Sequence, residues 1–396
     1  MADAASDLRA LLTADGQALL AALPAYDPQA VIGLSARLRD AGYPESLVAA
    51  ALTQARLRGR AGAKFGPQAQ RMYFTEDGLA QATRAVVSAG HAARYARAGV
   101  ARVWDLGCGI GGDLIALASA GLDAVGVERD PLTAAVAEAN LAALGLAGAG
   151  RVMVADARSV EVPESDGLFL DPARRSGGRR TFDPRAYQPS YDEVVALAGR
   201  IAATGAKLAP GIPHTVLPAD AEAEWVSVDR DVVECALWWG PLSSGVARRA
   251  TLHPGGHTIT GSGSVRAPVG PVGAYLHEPD GAVIRAGLVA EVAALTGGWL
   301  LDPEIAYLST EQPVRSPFFT SYAVIDVMPF GLKRLRSALR ARGVGPLTVK
   351  KRGTAVEPET LRRQLKLTGD VPATVVLTRV AGQHSVLLVE PHTPRP

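Results

Sequence analysis

Apolar residues recur at helical spacing through the first sixty or so positions, with Leu8, Leu11 and Leu12 followed by Leu19 and Leu20, a pattern that predicts amphipathic helices. "LPAYDP" and "AGYPES" punctuate them, where Pro and Gly close one element and Ser or Asp caps the next. The basic stretch "RLRGRAGAKFG" follows. It reads either as a linker or as a surface that touches a partner. From about residue 100 to 240 the pattern becomes strand, turn, helix, repeated. "ARVWDLG", "DAVGVERD", "RVMVADA", "DGLFLDP" and "AKLAPG" read as successive strands, and "GDLIALASAG", "PLTAAVAEANLAALG" and "SYDEVVALAGRIAATG" as the helices between them. Pro131 falls near the first turn of one helix and Gly145 just after its end.

Strands alternating with helices predict parallel β-α-β units and a covered sheet. "AEWVSVD" and "DVVECALWWG" have no helix between them and predict an antiparallel pair at a sheet edge. Residues 246–325 are Gly/Pro-rich with short strands and carry no assignable chemistry. From 326 a compact α/β pattern ends the chain: "KRLRSALRARG" and "ETLRRQLKL" as helices, "PLTVKKRG", "ATVVLTRV" and "HSVLLVEP" as strands. The expected organisation is a helical segment over 1–68, an α/β domain over 69–245, a connecting region over 246–325 and a small α/β domain over 326–396.

Composition narrows the classes. The chain has 396 residues, 48% of them hydrophobic, and a net charge of +2, so it is globular and only a local patch could recruit a polyanion. Two distant cysteines, Cys108 and Cys235, offer neither a disulfide framework nor a CxxC metal site, which suits a reducing cytoplasm. The seven histidines have no metal-ligand spacing, so no metal is expected. No secretory leader or membrane-spanning run is visible.

The candidate chemistry begins at "WDLGCGIGGD", where glycines at 107, 109, 111 and 112 lie between a strand and a helix. Such a turn lets a ligand approach the backbone beside helix N-terminal amides. Its spacing satisfies both GxGxG and GxGxxG, so a dinucleotide site is one possibility. Asp105 precedes the turn, where a pyrophosphate would meet negative charge, whereas a ligand bearing a sulfonium and an ammonium would be favoured. Glu128, Asp156 and Asp171 fall at the ends of the next three strands, at the crevice where open α/β sheets bind ligands. Glu128 is placed for ribose hydroxyls and Asp156 for an adenine edge.

"DLGCGIGGD", "VGVERD", "VADA" and "LDPAR" resemble the successive motifs of class I S-adenosylmethionine-dependent methyltransferases, over roughly residues 70 to 240. "MYFTEDGLAQAT" resembles the segment before the cofactor loop in RNA-type members, which would bring Thr75 beside the cofactor. "VKKRGTAVEPETLRRQLKL" and "ATVVLTRVAG" resemble a C-terminal THUMP-like domain. The resemblance implies an α/β fold: a Rossmann-like, mostly parallel sheet with an antiparallel edge pair, an N-terminal helical domain and a small C-terminal α/β domain. It implies S-adenosyl-L-methionine as cofactor, with Asp105, Gly107, Gly109 and Gly111 in its loop, Glu128 on the ribose, and Asp156 with Ala157 at the adenine.

By the same resemblance, Asp171-Pro172 takes the place where many nucleic-acid amino-methyltransferases have an Asn/Asp-Pro-Pro-aromatic motif that holds an exocyclic amine, but Ala173 and Arg174 replace the second proline and the aromatic. Arg174 and Arg175 read either as phosphate ligands or as a salt-bridged turn. Lys350, Lys351 and Arg352 belong to a run of eleven Lys/Arg between Gly331 and Lys366 that predicts RNA docking. The expectation is therefore a cytoplasmic enzyme that methylates a base nitrogen in rRNA or tRNA by direct in-line transfer. The rivals are an NAD(P)-dependent oxidoreductase built on GxGxxG and a non-catalytic RNA-binding protein with a vestigial fold.

Overall fold

The computed structural model describes residues 2–172, 175–176, 179–180 and 187–392. The chain divides into two compact units, one of residues Met1–Ala221 and Ala236–Ser244, the other of Glu222–Cys235 and Gly245–Pro396. It therefore passes from one unit to the other three times.

The first unit opens with helices α1 (Ala2–Leu12), α2 (Ala14–Ala22), α3 (Val31–Asp40) and α4 (Glu45–Phe65). The basic stretch expected as a linker or partner surface is the last part of α4. Leu57, Ala61 and Phe65, four residues apart, are buried along one face, while Arg56 and Arg60 pair with Glu76 at 2.5 and 2.6 Å. Arg58 is buried, its Nε donating to the Met72 carbonyl at 2.9 Å. The basic residues hid the helical period because Arg58 belongs to the inward face.

After α5 (Glu76–Gln81) and α6 (Ala85–Arg97), the alternating part begins: β1 (Arg102–Leu106), α7 (Gly112–Ser119), β2 (Asp123–Glu128), α8 (Pro131–Leu144), β3 (Gly150–Val154) and β4 (Gly167–Leu170). The two-residue strands β5 (Arg175–Ser176) and β6 (Arg179–Arg180) pair antiparallel, and α9 (Tyr191–Ala198) and β7 (Thr204–Leu208) follow. Asp130 caps α8 by accepting from Thr133 N at 2.8 Å, with Pro131 at the start and Gly145 past the end. The sheet order is β7-β4-β1-β2-β3, all parallel. Succession runs outward from β1 in one direction and from β4 in the other, so the crevice between them is a topological switch point. One core cluster joins Leu8, Leu11, Leu19 and Leu57 of the N-terminal helices to Leu114, Ala137 and Leu141 behind the sheet, each buried leucine contributing about 1.5–3 kcal/mol.

The second unit contains β8 (Glu222–Val228) and the first five residues of β9 (Asp231–Trp238), whose last three residues belong to the first unit. Asp229 and Arg230, at φ 51° and 71°, form the tight turn between them. The hairpin is as expected, but β8 is not an edge strand, because its other side pairs in parallel with β10 (Arg248–His253), which pairs in turn with β11 (His257–Gly261). A second sheet follows from β12 (Tyr275–Pro279), β13 (Trp299–Asp302), β14 (Ile305–Thr310), β15 (Phe319–Pro329), β16 (Val344–Lys351), β17 (Val371–Val380) and β18 (Gln383–Pro391), in the order β13-β14-β12-β15-β18-β17-β16. Helices α12 (Leu332–Ala341) and α13 (Pro358–Leu365) flank β16, as the sequence predicts. Helices α10 (Gly281–Ala286) and α11 (Val289–Thr296) were not foreseen; α10 has only six residues, and α11, VAEVAALT, is nearly all apolar and shows no polar face to mark a period. No helix of the described residues is long and apolar enough to cross a membrane.

Candidate active site

The carboxyl ends of the parallel strands open on a cavity of about 640 Å3 in the first unit. Thr75, Asp105, Gly107, Gly109, Glu128, Asp156, Ala157, Asp171 and Pro172 all line it. Gly111 does not line it; at φ 92° it is the N-cap of α7, and it faces Ala137 and Ile115. Arg174 lies outside the described residues, and of Arg175 the backbone alone is described. Lys350, Lys351 and Arg352 belong to the second unit, where Lys350 donates to Glu278 at 2.7 Å, Lys351 to Glu357 at 2.6 Å, and the Arg352 guanidinium lies over the Tyr307 ring.

The glycine turn brings backbones together. Gly107 has φ +91°, and a Cβ there would lie 3.1 Å from the Asp171 carbonyl oxygen, so glycine both permits the turn and lets the ends of β1 and β4 approach. The amide of Gly109 donates to Glu128 Oε2 at 3.2 Å and that of Asp130 to Oε1 at 2.9 Å, which fixes the Glu128 carboxylate at the end of β2. Asp156 accepts from the Arg158 amide at 2.9 Å and pairs with its guanidinium at 2.8 Å. The side-chain bond to Arg158, with its backbone bond, holds this carboxyl well below the usual range.

Asp105 is different. It is 1% exposed, and among the described residues neither carboxylate oxygen has a hydrogen-bond partner. Burial, reinforced by the charges of Asp113 and Asp171, pushes its pKa well above the ordinary carboxylate range, with Lys207 opposing. A buried, unsatisfied carboxylate is costly, and this one adjoins the cavity.

Sequence reasoning missed the polar chain behind the cavity. Lys207, on β7, donates to Asp171 Oδ2 at 2.5 Å and to Thr83 Oγ1 at 2.9 Å. Thr83 donates to Asp113 Oδ2 at 2.6 Å, and Asp113 Oδ1 lies 2.7 Å from His91 Nδ1. Burial works against ionisation of Asp113, but His91, Lys207 and Thr83 together hold its pKa below the ordinary value. The available signal was Lys207 itself, a lone cation in the otherwise apolar "TGAKLAPG". Upstream, the Asn140 side chain receives the Tyr73 amide at 2.6 Å and donates to the Tyr73 and Ile110 carbonyls at 3.1 and 2.9 Å. That anchors the segment leading to Thr75, whose hydroxyl accepts from Gly78 N at 3.0 Å and caps α5.

Comparison with known proteins gives the family of the chain. The chain is 38% identical over 354 residues to an uncharacterized S-adenosylmethionine-dependent methyltransferase of Mycobacterium tuberculosis (strain H37Rv), covering 86% of this chain and 95% of that protein. The same values hold for its counterpart in strain CDC 1551 / Oshkosh. The chain belongs to the S-adenosylmethionine-dependent methyltransferases. A crystal structure of a protein assigned as a methyltransferase from Porphyromonas gingivalis W83 shares the fold, with a TM-score of 0.71 at 22% identity, over 94% of this chain and all of that one. Within the methyltransferase, residues 319–391 match the THUMP domain-like family and residues 4–61 match a domain of unknown function (DUF8688).

Membership also settles the choice that the glycine turn left open: the cofactor of this methyltransferase is S-adenosylmethionine, not a dinucleotide. The residues present fit it. The unsatisfied Asp105 carboxylate would meet a cationic ligand, Glu128 would meet ribose hydroxyls, and Asp156 with Ala157 lines the same cavity. When bound, the cofactor supplies a methyl group on a sulfonium, so the chain's own task is alignment and control of protonation.

Proposed function

We propose that this methyltransferase modifies RNA, rRNA or tRNA, at a base nitrogen, with Asp171 accepting a hydrogen bond from the target amine and Pro172 bounding its position. The observation that carries the RNA part is the basic face of the THUMP-like segment. In α12 Leu335 and Leu339 are buried while Lys333, Arg334 and Arg340 are exposed, and Arg363 and Lys366 are exposed on and just beyond α13. Exposed cations on adjacent helices suit a phosphate backbone. For the chemistry, the support is the cavity itself: Asp171 follows β4 directly, beside the turn on the cofactor side. In-line transfer needs the amine lone pair aimed at the methyl carbon, and a carboxylate accepting the N–H supplies that aim. The two cysteines are buried free thiols, which accords with a cytoplasmic setting.

The test is transfer of radiolabelled methyl from S-adenosylmethionine to total RNA from cells lacking the protein, followed by mapping of the modified nucleoside. Labelled base is expected, with Asp171→Ala abolishing transfer and leaving S-adenosylhomocysteine affinity near that of the wild type. Label entering protein, or a small molecule, and no RNA would sink the reading. Lys333→Glu with Arg334→Glu should weaken RNA binding and flatten its salt dependence; binding that ignores both salt and these charges would remove RNA docking from the account.

A further inference from the structure

We infer that Lys207 is a positioning residue for methyl transfer, its ammonium fixing the Asp171 carboxylate in the orientation that faces the methyl acceptor. The inference rests on the reading of Asp171 as the acceptor-orienting group, and it adds a residue that neither the motif nor the family match assigns.

The geometry carries it. Lys207 is 7% exposed, lines the cavity, and reaches Asp171 Oδ2 and Thr83 Oγ1 at once. Thr83 is itself held by Asp113, and Asp113 by His91. The His91 ring lies 5.0 Å from Phe169 and 5.5 Å from Trp238, both fully buried. Lys207 therefore has its ammonium located by a chain of contacts anchored in the core, and Asp171 inherits that location.

The surrounding charges give the contact a second effect. Around this point stand Asp105 from β1, Asp113 from α7 and Glu128 from β2, all acidic, with Tyr95 and His91 from α6. Lys64 of α4 is near enough for Lys207 to act on its charge. Acids this close drive one another toward the protonated form. A protonated Asp171 would donate a hydrogen bond where an amine requires an acceptor. Lys207 keeps Asp171 an acceptor and favours the ionised form of Asp105 by the same charge.

Lys207→Met and Lys207→Arg test this in the full-length protein by two readouts: transfer to total RNA from cells lacking the protein, and calorimetric affinity for S-adenosylhomocysteine across pH. For Lys207→Met, kcat should fall on the order of 100-fold with KM little changed. The acid limbs of both kcat and S-adenosylhomocysteine binding should move to higher pH, because the ammonium that favours the ionised carboxylates is gone. Lys207→Arg, which keeps the charge, should return both limbs and most of kcat. Loss of activity, affinity and thermal stability together, with unmoved pH limbs, would reduce Lys207 to a structural strut and overturn the proposal. So would an arginine variant that stays inactive while the acid limb of kcat vanishes in the methionine variant, because Lys207 would then be taking the proton itself. If the wild type methylates no RNA, the reading of the substrate fails, and the S-adenosylhomocysteine limb alone decides for or against Lys207.

Discussion

Asn140 grips the backbone of Tyr73 from both sides, its Oδ1 accepting the Tyr73 N–H at 2.6 Å and its Nδ2 donating to the Tyr73 carbonyl at 3.1 Å. One fully buried side chain in α8 thus stands in for the strand partner that the Tyr73 segment lacks. Asn140→Ala strands these groups and the Ile110 carbonyl in the core. The expected loss is roughly 3 kcal/mol of unfolding free energy, read from urea denaturation, with S-adenosylhomocysteine affinity falling as the Thr75 segment loosens. A loss below that of an ordinary surface substitution would mean that water replaces the amide.

Asp105→Asn separates stability from binding. In the ligand-free protein the folded pKa of Asp105 lies above its unfolded value, so between the two the folded state holds a proton that the unfolded state has released. Stability therefore falls as pH rises through that window. The variant lacks this penalty and should match or exceed the wild type in thermal melting at neutral pH. Its S-adenosylhomocysteine affinity should drop on the order of 100-fold, since a buried cation loses its counter-charge. Calorimetry and melting on the same samples check both signs.

Gly107→Ala should cost about 1–2 kcal/mol for a side chain at positive φ, and the added methyl would meet the Asp171 carbonyl at 3.1 Å. Because that carbonyl directly follows β4 and belongs to Asp171, cofactor affinity and transfer rate should decline together. Equilibrium denaturation with S-adenosylhomocysteine titration measures the two effects; unchanged affinity would place the cofactor away from this turn.

His277 makes a prediction for the second unit. It is fully buried between Ser321 and Thr310, at 2.9 Å from each hydroxyl, and stacked on Phe319. Burial, with a smaller contribution from His392, pulls its pKa from 6.5 down to about 4. Below pH 6.5 the unfolded imidazole takes a proton that the folded one refuses, so stability is lost as pH falls toward 4 and this contribution levels off below it. The loss is at most about 3 kcal/mol. His277→Gln should flatten the urea midpoint between pH 7 and 4.5, relative to the wild type.

The parallel sheet was legible because each of its strands is a short apolar run bounded by turn residues, and because Pro131 and Gly145 bracket α8 in the primary sequence. The end of α4 was not, since Arg58 points inward and breaks the polar face that a solvent-exposed helix displays. At the site, the strand-end acids could be read because a strand end is a position in the sequence. Lys207, Thr83, Asp113 and His91 could not be assembled, because they come from β7, the connection between α5 and α6, α7 and α6, and meet through tertiary packing alone. Gly111 fits the glycine spacing as well as Gly107 does, but Gly107 faces the Asp171 carbonyl and Gly111 faces Ala137 of α8, a difference the spacing does not encode.

The interleaving of the two units constrains how the protein is made. A ribosome delivers residues in order, so the strand that completes the first unit, Ala236–Trp238, emerges after a segment owned by the second. The methyl-transfer sheet is thus unfinished when its last cavity residue, Lys207, has left the exit tunnel. A chain stopped at residue 221 would carry every side chain of the cavity and still lack a strand. Trp238, against which His91 packs, would be missing with it. Synthesis of the second unit's first hairpin is a condition for closing the first.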